Sequence, residues 1–174
     1  MGHSADTSSD IWISWDQYHR LIENLAITID DSDWAFDQII CIARGGLRVG
    51  DVLSRLYRLP LAVLSASSYR DNAGREQGQL DIAAEISMAT GEPCGRVLLV
   101  DDMVDTGLTL AQVQSDLLTK YPAIKEIRTA VIWWKAHSEA RPDYHAQFLE
   151  GSPWIHQPFE SYDSLGIKAL KASR

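Results

Sequence analysis

Three aspartates and two threonines within residues 97–110, VLLVDDMVDTGLTL, form the densest cluster of reactive groups in the chain. Asp101 and Asp102 follow directly on four apolar residues, Asp105 comes shortly after, and Thr106, Gly107 and Thr109 lead into a helical pattern. Free N–H groups and hydroxyls at a helix start bind phosphate. Asp101 and Asp102 would repel that same phosphate, so they suit neutral hydroxyls or a divalent cation. A ligand with both a phosphate and a vicinal diol meets both demands, and phosphorylated ribose is such a ligand. Acidic pairs at strand ends also occur in magnesium-binding receiver-type domains and phosphatases, and acids at helix starts also complement the dipole. These residues alone leave the choice open.

The elements that must position this cluster follow from periodicity. Ser14 and Gln17 form a capping-box pattern, with Leu21, Ile22, Leu25 and Ala26 as the apolar stripe of the helix it opens. Residues 38–43, QIICIA, read as a strand stopped by Arg44-Gly45-Gly46, and a helix through Val49, Val52, Leu53 and Leu56 follows. A second strand is predicted over 59–67, a polar mobile loop from Tyr69 to Gln79, and a third strand over 95–102. Residues 108–121 read as a helix closed by Pro122, and 127–134 as a fourth strand. This alternation predicts an α/β fold with a mostly parallel sheet flanked by helices. Ligands of such sheets sit beyond the carboxyl ends of the strands, so the loops after the first and third strands should face one pocket.

Composition narrows the class. With 174 residues, 45% of them hydrophobic, the chain can bury a substantial core in one domain. A net charge of −8 argues against a nucleic-acid binder. No apolar run reaches bilayer length and residues 1–10 lack the apolar core of a secretory signal, which predicts a cytoplasmic protein without integral membrane association. Residues 1–10 read as a loose tail, and 11–174 as the single domain. Cys41 and Cys94 form no C-x-x-C pair, and the five histidines lack metal-ligand spacing.

The stretch 97–110 closely resembles the signature of type I phosphoribosyltransferases, which bind phosphoribosyl pyrophosphate (PRPP). Further stretches, in the same order, resemble the bacterial xanthine-guanine branch: IARGGLRVGDVLSRLY its pyrophosphate loop and helix, SASSY the entrance to its flexible loop, PWIHQPFE its base-recognition segment. The resemblance spans about residues 38–160 and implies that family's fold, a twisted parallel sheet with a small hood over the base. The hood would comprise about residues 135–165 with part of the N-terminal region.

The resemblance also implies roles. Asp101 and Asp102 would meet the ribose hydroxyls, with Mg2+ bridging hydroxyls and pyrophosphate. Asp105, Thr106, Gly107, Leu108 and Thr109 would form the 5-phosphate loop, and Asp105 matches the candidate general base near purine N7. Arg44 and Gly45 match the pyrophosphate loop, where the family carries a non-proline cis peptide, and Arg44 would neutralise the leaving group. Arg48 would assist with pyrophosphate or lie on the surface; a cation in a first helical turn is unfavourable without an anion. Ser68 and Tyr69 would head the lid. Lys135 matches the lysine that donates to a purine 6-oxo group, which adenine lacks. Trp154 would stack on the base, and Ile155 would offer its backbone carbonyl to the 2-substituent. Trp12, Trp15, Trp34, Trp133 and Trp134 read as packing residues, any exposed members serving a subunit interface.

These assignments imply transfer of phosphoribose from PRPP to guanine, xanthine or hypoxanthine by a homodimer or homotetramer. The chain departs from the branch near the purine: Lys135-Ala136-His137 replaces Lys-Pro-x-Gly, Phe159 stands where tryptophan is usual, and Glu160 where aspartate is. A PRPP-sensing regulator without turnover, or an enzyme for another base, are the alternatives; a regulator would need a nucleic-acid-binding surface that this acidic chain does not advertise.

Overall fold

The computed structural model describes residues 10–70, 77–83, 85–89 and 91–173. In chain order its elements are β1 (Ile11–Trp12), α1 (Trp15–Asp30), β2 (Gln38–Ala43), α2 (Gly46–Tyr57), β3 (Leu61–Arg70), β4 (Gln77–Ile82) and β5 (Ser87–Met88). There follow β6 (Gly95–Val104), α3 (Leu108–Lys120), β7 (Ile124–Lys135), β8 (Tyr144–Leu149), β9 (Ile155–His156), α4 (Ser161–Ser164) and α5 (Ile167–Ala172).

Six strands form a path in the order β4-β3-β2-β6-β7-β8, with β5 also paired to β3. Strands β3, β2, β6, β7 and β8 run parallel; β4 and β5 pair antiparallel to β3. Alternation along the central strands explains why helices cover both faces. Ile39, Cys41, Leu98, Val100, Ala130 and Ile132 face α1 and α2, meeting Tyr18, Ile22, Leu25, Val49 and Leu53. Ile40, Ile42, Val97, Leu99 and Val131 face α3, meeting Leu110, Val113 and Leu117. The continuous apolar runs of the sequence are thus the mark of strands buried on both sides.

One expectation needs correction. The polar stretch from Tyr69 to Gln79 is not a loop throughout: β3 runs through Tyr69 to Arg70 and β4 begins at Gln77, with Ser68 paired to Leu80. Backbone pairing in an antiparallel ribbon tolerates polar side chains, which is why composition misread it. Residues 71–76 of the expected lid lie outside the described residues. The tryptophans also divide: Trp133 and Trp34 are buried, whereas Trp12 and Trp15 are 73% and 41% exposed.

A second, two-stranded sheet joins distant parts of the chain, with β1 parallel to β9. Trp12 stacks on His156 at 3.8 Å between ring centroids. The His156 ring lies between two carboxylates, with Nε2 3.0 Å from Asp10 and Nδ1 3.3 Å from Glu160. Both cysteines are free, and among the described residues no helix is long and apolar enough to cross a membrane.

Helix α1 starts with the predicted capping box, in which the Gln17 N–H donates to Ser14 Oγ and the Ser14 N–H to Gln17 Oε1. Ser14→Ala should therefore cost about 1 kcal/mol of stability, read as a lower denaturation midpoint at unchanged slope.

Candidate active site

Strands β2 and β6 are parallel neighbours, so the loop after β2 and the acids at the end of β6 reach the same edge of the sheet. Their approach is close. A Cβ on Gly45 would lie 2.5 Å from Asp102 Oδ1, and one on Gly46 2.5 Å from the Val100 carbonyl. Only a residue without a side chain lets the two loops share this wall. The peptide Ala43–Arg44, one residue earlier, is cis.

The paired acids are held from several sides. Asp101 Oδ1 accepts from the Asp102 N–H at 2.8 Å, and Asp102 Oδ1 from the Met103 N–H at 2.8 Å. Asp102 Oδ2 accepts from the side-chain amide of Gln157, a buried residue between β9 and α4. Asp101 is partly buried, and desolvation of its carboxylate, with the adjacent Asp102 charge, pushes its pKa well above the usual range. Tyr18, from α1, is completely buried, and its hydroxyl has no hydrogen-bond partner among the described residues. Burial first, then the Asp102 charge, raises its pKa.

The loop into α3 supplies the next part. Gly107 has φ +88°, a conformation that side chains disfavour, and a Cβ there would lie 2.5 Å from Ala140 Cβ. Glycines precede α2 and α3 and supply no side-chain cap; the Leu47 N–H donates to the Arg44 carbonyl and the Leu108 N–H to Thr106 Oγ1 at 3.4 Å, and the other first-turn N–H groups suit an anionic ligand. Thr106 and Leu108 are exposed at this edge, and Thr109 is partly buried.

Asp105 meets the end of β7. Lys135 is buried with Nζ 3.1 Å from Asp105 Oδ1, and His137 Nε2 lies 3.0 Å from the same oxygen. Two residues chosen for separate roles are thus an ion pair, and His137, inside the segment that departs from the branch, is the third member.

Other expected residues are less tightly assembled. The side chain of Arg44 is 85% exposed and reaches Asp163 of α4 at 3.4 Å. The Arg48 guanidinium lies over the Phe159 ring, 4.0 Å from its centroid, so an aromatic face offsets its placement in a helical first turn. Trp154 is 55% exposed. The Ile11 and Ile13 N–H groups donate to the carbonyls of Trp154 and His156; alternation then turns the intervening Ile155 carbonyl away from β1. Ser68 and Tyr69 lie on β3, which is paired antiparallel to β4 and separated from β6 by β2.

The sequence assigns no role to Gln157 or Asp163 and marks His137 only as a departure from the branch. Gln157 did carry a signal, an amide inside the aromatic and proline-rich PWIHQPFE, but nothing local tells that it reaches Asp102. Among the described residues no cluster of three or more metal-ligating side chains occurs. Asp101 and Asp102 alone suit a cation such as Mg2+ that keeps water and takes its remaining ligands from a phosphorylated substrate.

A parallel α/β sheet with paired acids and two glycine-led helix starts along one edge suits a phosphorylated, hydroxyl-bearing ligand. Residues 14–164 match the phosphoribosyl transferase domain family, and the chain belongs to it. A xanthine-guanine phosphoribosyltransferase of Gluconobacter oxydans is 27% identical over 150 residues, covering 86% of this chain and 83% of that protein. The crystal structure of a purine phosphoribosyltransferase from Pyrococcus horikoshii is similar at TM-score 0.70 and 32% identity, over 87% of this chain and 94% of that one. The Helicobacter pylori xanthine-guanine-hypoxanthine phosphoribosyltransferase shares the fold at TM-score 0.70 and 24% identity, over 94% of this chain and 99% of that one.

The raised pKa of Asp101 has a defined sign. Its proton is held more tightly in the folded than in the unfolded chain, so its contribution is favourable at low pH and is lost as pH rises through the folded value. Asp101→Asn should raise stability at neutral pH and flatten its fall above about pH 4, measured by chemical denaturation across pH.

Proposed function

We propose that the protein transfers the 5-phosphoribosyl group of PRPP to N9 of a 6-oxopurine, releasing pyrophosphate. The observation that carries this reading is the pairing of Lys135 with Asp105, the residue that directly follows the strand bearing Asp101 and Asp102. One ligand spanning that edge meets a diol site, a phosphate site and a base site in sequence. The names of the relatives point the same way.

In this reading Asp101 and Asp102 accept hydrogen bonds from the ribose 2- and 3-hydroxyls. The first N–H groups of α3, with the hydroxyls of Thr106 and Thr109, hold the 5-phosphate. Arg44, swung from Asp163, and the N–H groups from Gly45 onward receive the pyrophosphate. Mg2+, held by Asp101 and Asp102 directly or through water, would screen the negative charge of the leaving group. As N9 attacks C1 of the ribose and the bond to pyrophosphate breaks, Asp105 takes the N7 proton. Lys135 donates to the 6-oxo oxygen, Trp154 stacks on the ring, and the Ile155 carbonyl accepts from a 2-amino group or an N–H beside it. The lid after Ser68 and Tyr69 excludes water that would otherwise capture the ribosyl cation. The paired segments β1 and β9 form part of the hood within a single domain. We further propose a cytoplasmic homo-oligomer that acts in purine salvage.

Incubation with PRPP and Mg2+ should yield nucleotide from guanine, xanthine or hypoxanthine and none from adenine. PRPP binding without turnover on any base would instead favour a sensor. Lys135→Ala should narrow the gap between 6-oxopurines and adenine, checked by kcat/KM for each base; an unchanged profile would remove Lys135 from base recognition.

A further inference from the structure

Asp105 offers one oxygen to two partners. Oδ1 faces Lys135 Nζ at 3.1 Å and His137 Nε2 at 3.0 Å. In the proposed reaction Lys135 has a second claim on it, the purine 6-oxo group, and its single ammonium must satisfy both acceptors. A carboxylate that loses its anchoring donor rotates readily, because its terminal torsion is broad. Such rotation would turn the base away from N7.

The turn after β7 is fixed so that His137 can prevent this. The Ser138 N–H donates to the Lys135 carbonyl at 3.0 Å, and the Glu139 N–H to the Thr106 carbonyl at 3.0 Å. Ser138 Oγ donates to the Ala140 carbonyl at 2.8 Å. Ala140 packs on Gly107 so closely that a Cβ at 107 would overlap it. The backbone on both sides of His137 is thereby tied to the loop that carries Asp105, independently of where the Lys135 ammonium points. The His137 side chain is 43% exposed, so the contact with Asp105 is not a by-product of core packing.

We infer that His137 is a positioning residue: it retains Oδ1 of Asp105 while Lys135 turns to the purine, leaving Oδ2 directed at the N7 proton. The inference rests on the functional reading above. In the unliganded protein Asp105 Oδ1 is buried and makes no aligned hydrogen bond, so a small turn of the imidazole, already 3.0 Å away, brings an Nε2 N–H onto an oxygen that needs a donor. The proton balance is that of the transfer itself: N9 bonds to C1, the electron pair of the broken bond leaves with pyrophosphate, and the N7 proton ends on Asp105 before passing to solvent.

His137→Leu should lower kcat about tenfold through misplacement of the base, with KM for PRPP changed by less than about twofold. His137→Gln, which carries a side-chain N–H of similar reach, should recover most of the loss. Combining His137→Leu with Lys135→Ala should cost more than the product of the single effects, because each partner covers for the other. An unaltered kcat in His137→Leu, equal loss in the Gln and Leu variants, or a multiplicative double variant would overturn the inference. A readout free of turnover separates the two claims: Asp105→Asn should shift the His137 ring resonances of the unliganded protein. No such shift sinks the positioning role alone, whereas a shift in Asp105→Asn together with no conversion of any base by the wild-type protein sinks the functional reading.

Discussion

The site depends on the parallel pairing of β2 with β6, closed at its end by contact of backbone with carboxylate. Because residue 45 has no side chain, the Asp102 carboxylate sits where a Cβ would otherwise be. That one exclusion brings the Arg44–Gly45 turn, the paired acids and the start of α2 to a common wall. The price is electrostatic: Asp101 is held in a setting that disfavours its charge. Adjacent acids so placed are matched to a ligand that arrives with hydroxyl donors and a cation, and they are poorly matched to bare solvent.

From this wall the site extends along two chemically distinct directions. Toward α3 it is backbone: N–H groups and a glycine in a left-handed conformation. Toward β7 it is side chain: a buried lysine neutralised by Asp105, with His137 beside it. The turn over residues 136–140 joins the two, since it belongs to the end of β7 yet hydrogen-bonds to and packs against the phosphate loop. Base recognition and phosphate binding therefore share one rigid unit, and motion of one loop is felt by the other.

Much of the framework was legible because its signals are local. QIICIA and VLLV are continuous apolar runs, the signature of strands covered on both faces, and Ser14 with Gln17 announced the start of α1. The acids and glycines of residues 97–110 were legible for the same reason, since their spacing along one turn is their function. What the chain does not announce is pairing across distance. That Lys135 neutralises Asp105, that Gln157 reaches Asp102, and that Arg48 rests on Phe159 are consequences of register and crossover. The ribbon of β3 and β4 was misread because an antiparallel pair can be stabilised by backbone bonds under polar side chains. Which tryptophans are buried and which reach the rim was not legible, because side-chain size alone does not fix position: Trp133 is fully buried and Trp12 is exposed.

The two-stranded sheet has a consequence for biosynthesis. Its strands are Ile11–Trp12 and Ile155–His156, and the Asp10–His156–Glu160 contacts latch one to the other. Domains fold as units as the chain leaves the ribosome from its N-terminus, so β1 emerges early and must wait, unpaired, for nearly the whole chain to follow. The diol and phosphate edge waits as well, because Glu139 and Ala140, which brace the phosphate loop, and Gln157, which holds Asp102, all follow α3. A nascent chain would thus gain its sugar-phosphate site and its base site together, only once its last strand has emerged.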